Sequence, residues 1–175
     1  MLDERDPQEP VLSLPKDWVL KALREAGNSL LSEFHGLDEE ELRWRPAEGD
    51  LSLKEIAAHL RDAEELALAQ LGAINERADG LLPAWDLDVL PLEQDYRAVD
   101  LFAVLAEFRR LRRETAYLLW EISSLEWERA AEHPYRGPVT LGQLARELAE
   151  HDLEHLWQVR RLKEQLAESR RERTT

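Results

Sequence analysis

Apolar residues recur at intervals of three and four along four stretches of the chain, with charged residues between them. Trp18, Val19, Ala22, Leu23, Ala26, Leu30 and Phe34 form the first stripe, one side of a helix at about 100° per residue. The pattern predicts that helix from Pro15 to the His35-Gly36 pair, where glycine gives the usual stop. A short helical turn is expected at 39–42. Ser52 with Glu55 three residues on makes a capping box, so a second helix should begin there and run to about Arg77. Asp100 caps a third, carrying Leu101, Val104, Leu105, Phe108, Leu111, Thr115, Leu118 and Ile122. Thr140 caps a fourth, whose seam runs through Leu141, Leu144 and Leu148 and resumes at Leu162 and Leu166.

The connections are uneven. Residues 78–99 hold two prolines and a tryptophan, far longer than the ~2–8 residues usual between bundle helices. A crossover running the length of the bundle accounts for it and leaves helices two and three parallel. Residues 123–139 read as a loop over one end, and no segment reads as a strand of convincing length. The expectation is an all-α, four-helix bundle with a long crossover between helices 2 and 3. Residues 1–14 form a loose arm, 15–167 a single domain and 168–175 a frayed tail.

Composition narrows the class. A chain of 175 residues with 43% hydrophobic and 34% charged residues and only 7 glycines suits one helical domain. The absence of cysteine excludes disulfides, thiolate ligands and a cysteine nucleophile. No apolar run reaches the ~18 residues of a membrane span, and the start, MLDERDPQEP, is acidic, unlike a signal peptide. A cytoplasmic protein is therefore expected, with no membrane partner. A net charge of −14 opposes nucleic acid as a partner, because phosphate backbones need a basic surface.

Candidate chemistry interrupts the apolar pattern. In the fourth helix the seam passes through His151, His155 and Gln158 where leucines belong. Positions 151 and 155 differ by about 40° in direction, one turn above the other. The second helix has a stripe of Ile56, His59, Ala63 and Leu66, so His59 also points inward. Three imidazoles in place of leucines give up burial worth about 1.5–3 kcal/mol at each full site and bury nitrogens that need partners. One shared metal ion offsets that loss, since structural sites return on the order of 10 kcal/mol. A polar core network without metal is the alternative. His35, at a helix end, and His133, in HPYRGP, read as exposed and outside the ligand set.

The blocks LRWRPAEGDLSLKEIAAHLRDAEE and TLGQLARELAEHDLEHLWQ resemble those of the DinB-like (DinB/YfiT-like) proteins, over roughly residues 16–166. The resemblance implies a four-helix bundle, often dimeric, with a divalent metal on one histidine of the second helix and two of the fourth. By position those are His59, His151 and His155. It also implies a small-molecule substrate and chemistry on a low-molecular-weight thiol such as bacillithiol or mycothiol. An iron-binding relative works with a second domain that has no counterpart in this chain. Family members often carry another histidine just before the last ligand, where this chain has Glu154.

Three neutral imidazoles leave an ion its full charge and an open position, as in catalytic sites. The expected chemistry is activation of a thiol or a water by that ion, in an S-transferase or hydrolase. Zinc is the first choice of metal, with nickel, iron or manganese also accepted by imidazole. Gln158, Asp62 and Glu154 are the candidate catalytic or supporting side chains, with Glu55 and Asp152 also close in sequence. The run FRRLRRE reads as an exposed face paired with glutamates, or else as recognition of a carboxylate-bearing thiol or substrate. Trp44, Trp85, Trp120 and Trp157 read as pocket mouth or core, and Trp157 also as a dimer contact or as packed beneath a loop. A metal-binding stress protein without turnover is the rival reading.

Overall fold

A computed structural model describes residues 15–87 and 89–174; the predicted arm at 1–14 lies outside the described residues. Among the described residues six helices occur: α1 (Lys16–Glu33), α2 (Glu39–Arg43), α3 (Leu53–Glu76), α4 (Leu90–Glu93), α5 (Leu101–Glu121) and α6 (Leu141–Thr174). The four long ones form the bundle. Their starts follow from local chemistry. Ser52 and Glu55 form the reciprocal capping box, Asp100 accepts from Ala103 N, and Thr140 Oγ1 accepts from Gln143 N at 3.1 Å.

The direction of each helix follows from which ends share a core cluster. One cluster holds Val19 and Leu23 of α1, Leu71 and Ile74 of α3, Leu119 of α5, and Leu141 to Ala149 of α6. The other holds Leu30 of α1, Ile56 and Leu60 of α3, Val104 and Phe108 of α5, and Leu156 to Leu162 of α6. So α1 and α6 run one way, and α3 and α5 the other. The parallel α3–α5 pair is the consequence of the long crossover, as expected. In the ring α1–α6–α3–α5, α3 and α6 are neighbours on the side opposite α1 and α5.

Two elements differ from expectation. Residues 123–140 are not a plain loop: a short 3-10 turn (Glu126–Glu128) precedes a hairpin of β1 (Ala130–His133) and β2 (Gly137–Thr140), paired Ala130 to Thr140. Strands of four residues are too short to display alternation in sequence. Trp127 anchors this segment in the core, and a Cβ on Gly142 would overlap its indole, so the start of α6 needs glycine for that close approach. The second difference is the tail. Residues 168–174 continue α6 instead of fraying, since Arg170 reaches Glu41 of α2 at 2.7 Å and Leu166 is buried.

A buried ionic cluster crosses the middle of the bundle. Arg112 of α5 contacts Glu64 of α3 at 2.6 Å and Asp152 of α6 at 2.7 Å, and donates to Leu23 O of α1 at 2.8 Å. It thereby touches all four long helices. Burial works against the guanidinium charge, but the two carboxylates overcome it and raise the Arg112 pKa. Arg112 belongs to the FRRLRRE run expected to be exposed; Arg109, Arg110 and Arg113 are exposed and Arg112 is not. Position 112 continues the inward stripe through Phe108 and Leu111, which the neighbouring arginines mask.

Candidate metal centre

His59 stands on α3 one turn beyond Glu55 of the capping box, and His151 and His155 stand one turn apart on the facing side of α6. Their Nε2 atoms converge. His151 Nε2 lies 3.1 Å from His59 Nε2 and 3.1 Å from His155 Nε2, and one ligand atom from each ring falls within 4.8 Å of the others. Four ligands on a tetrahedral ion with bonds near 2.05 Å sit about 3.3 Å apart, so the cluster has the right size for one small cation.

The proton inventory favours the same reading. His155 Nδ1 donates to Gln158 Oε1 at 2.7 Å, which leaves the His155 Nε2 lone pair facing His151. A neutral His151 carries a single proton. Placed on Nε2 it satisfies only one of two neighbours, and in either tautomer the buried Nδ1 has no hydrogen-bond partner. Burial, followed by repulsion from His155, His59 and Arg112, pushes the His151 pKa down to about 3. Burial also lowers His155, against the opposing pull of Gln158 and Glu154. Both rings are therefore neutral donors at pH 7, the state a cation requires.

The histidines lie at the base of a cleft of about 860 Å³. Its roof is the crossover, through Trp85, Leu87 and Pro91, and the hairpin adds His133 and Tyr135. Gln70 Nε2 holds the crossover by donating to Pro83 O at 2.8 Å, and Leu82 N donates to Glu132 O at 2.9 Å, joining crossover to hairpin. His133 was expected to be exposed; it is half-buried and lines the cleft outside the ligand cluster. Its histidine in HPYRGP was the only sequence signal for this wall, because the hairpin that brings it over the site was not legible. Trp85 does line the cleft. Trp44 packs against the core, while Trp120 and Trp157 are both 68% exposed.

Of the candidate supporting side chains, Gln158 accepts a hydrogen bond from His155. Asp62 is buried, accepting from the Tyr96 hydroxyl and from Arg61 Nε at 2.7 Å, and is not among the cleft-lining residues. Burial and the Asp62 carboxylate raise the Tyr96 pKa well above its ordinary value. Glu154 is exposed and acts on His155 only through its charge. Glu55 is occupied by the cap and by Arg45 at 2.5 Å, and Asp152 by Arg112.

Solved structures with this fold include YfiT from Bacillus subtilis, described as a probable metal-dependent hydrolase with an unusual four-helix bundle topology. It superposes with a TM-score of 0.81 at 17% identity, covering 91% of this chain and 93% of that one. The four-helix bundle protein TT2238 gives a TM-score of 0.63 at 20% identity, over 83% of this chain and 98% of that one. The colibactin self-resistance protein ClbS, solved in complex with a dsDNA, gives 0.64 at 15% identity, over 85% and 95%. No curated protein matches the sequence significantly. The DinB superfamily model matches residues 22–159, which take in His59, His151, His155 and the crossover, and the chain belongs to the DinB superfamily.

Proposed function

We propose that the protein is a divalent-metal-dependent enzyme of the hydrolase or thiol S-transferase type, with His59, His151 and His155 as ligands. The observation that carries this reading is the convergence of three Nε2 atoms with too few protons to satisfy one another. A divalent cation there supplies Lewis acidity, which lowers the pKa of a water or a low-molecular-weight thiol into the neutral range. Gln158 fixes the His155 ring by accepting from Nδ1, as partners of ligand histidines commonly do. His133 Nδ1 accepts from Tyr135 N at 3.2 Å, which orients a ring that lines the cleft. The crossover shields one side of the cleft from water. Zinc is the first choice, with nickel, iron and manganese compatible with the same donors.

A small-molecule substrate, a homodimer and a cytoplasmic setting belong to this proposal. The likeness to ClbS raises nucleic acid as a partner, which a net charge of −14 opposes. Plasma mass spectrometry on protein purified without chelator tests the metal. We expect about one equivalent of a transition metal per chain, lost in His59→Ala/His151→Ala/His155→Ala. Unchanged occupancy in His151→Ala would sink the ligand assignment. Thiol conjugation to monochlorobimane and ester hydrolysis, each with and without chelator, test turnover; metal without either activity would favour a non-catalytic binding protein.

A further inference from the structure

On the side of the bundle opposite the histidine cleft, α1 and α5 pack least closely of the neighbouring long helices. They leave a groove of about 950 Å³. Leu20 and Leu31 of α1 and Ala116, Tyr117 and Trp120 of α5 line it, with Phe108 deeper. Trp120 is 68% and Tyr117 66% exposed, large apolar surface that packing among the described residues leaves uncovered. Arg24, Arg109 and Arg113 also line the groove, and no carboxylate of the described residues does. These three arginines have no ion-pair partner among the described residues.

We infer that this groove is a second ligand site, taking an amphipathic organic anion with an aliphatic or aromatic body and a carboxylate head. The apolar walls suit the body. The arginines suit the head, since guanidinium pairs with carboxylate in a two-pronged hydrogen bond. Charge makes the inference specific. A molecule with net −14 should repel organic anions and attract organic cations, so an apolar groove lined by arginines and by no carboxylate of the described residues reverses the sign locally. A second copy of the chain fits less well. A two-fold contact through this face sets the same patch against itself and brings arginines toward arginines.

Calorimetric titration with decanoate, matched against decyltrimethylammonium, tests the site on the full-length protein. We expect saturable binding of one decanoate per chain, roughly tenfold or more tighter than the cation. Arg109→Glu/Arg113→Glu, both exposed and so without cost to the fold by circular dichroism, should weaken decanoate by about tenfold or more. Trp120→Ala should weaken it too, while His151→Ala should leave it unchanged and so separate this groove from the metal cleft. Absence of saturation, equal or tighter binding of the cation, or loss in His151→Ala would overturn the proposal. So would a sedimenting dimer that Arg109→Glu/Arg113→Glu dissociates, which would assign the groove to a second copy.

Discussion

His151 and Asp152 are adjacent on α6, yet each anchors a different buried polar cluster. Asp152 turns toward Arg112, which Glu64 also holds; His151 turns toward His59 and His155. In the first cluster the chain supplies both the donors and the cation. In the second it supplies three imidazoles, of which burial keeps His151 and His155 neutral, and no cation of its own. The two clusters differ in whether the protein supplies the cation, not in hydrogen-bond closure, since Glu64 Oε1 and Arg112 Nε also lack a partner among the described residues. Burial raises the Asp152 pKa to about 6 even beside Arg112, and lowers His151 to about 3. In both cases the environment resists charge, but only Asp152 has an internal counter-ion.

The comparison predicts asymmetric costs. Arg112→Met leaves two carboxylates buried without a cation and should cost about 3–5 kcal/mol in urea denaturation. In metal-free protein His151→Leu should change stability by less than about 1.5 kcal/mol, or raise it, because no buried charge is stranded. A small loss in Arg112→Met would erase the distinction. Acid sharpens it next. The folded pKa of His151 lies below the unfolded value near 6.5, so the unfolded chain takes up its proton first as pH falls. The His151 contribution to metal-free stability should be complete above pH 6.5 and fall toward pH 3, by up to about 1.4 kcal/mol per pH unit. The raised Asp152 pKa works the other way below about pH 6, so the histidine's share is read as the difference between wild type and variant. His151→Leu should flatten that slope.

Smaller effects probe the surroundings of the ligands. Gln158→Ala should lower zinc affinity by roughly 10–100-fold, as loss of partners to ligand histidines does, with little change in the melting of metal-free protein. Competition with a chromophoric chelator measures it. Glu154→Gln, on an exposed flank, should alter zinc affinity by no more than about threefold, since surface charges contribute about 1 kcal/mol or less. A larger effect of Glu154 than of Gln158 would invert their assignment.

The bundle and the convergence of its three histidines were legible because both rest on periodicity. Capping at Ser52, Asp100 and Thr140 set the helix starts, and the histidines stood where the apolar stripe demanded leucine. The crossover announced itself by length. What was not legible depends on contacts between segments far apart in sequence. Asp62 looked like a supporting carboxylate at i+3 from His59, but Tyr96, brought back by the crossover, occupies it. Arg112 was hidden among exposed arginines of like appearance, and its partners Glu64 and Asp152 come from two other helices. His133 reached the cleft only through a hairpin with strands too short to recognise.

His59 and His151 meet across a separation of 92 residues in a chain that contains no cysteine. An ion gripping both is therefore a reversible covalent-like staple around more than half of the polypeptide. A permanent cross-link closing a loop of that length restricts the unfolded ensemble by an entropy worth about 4–5 kcal/mol. To the extent that a metal stays bound to both helices as the chain opens, it acts as the disulfide this sequence lacks, and one that a chelator can undo without a reductant.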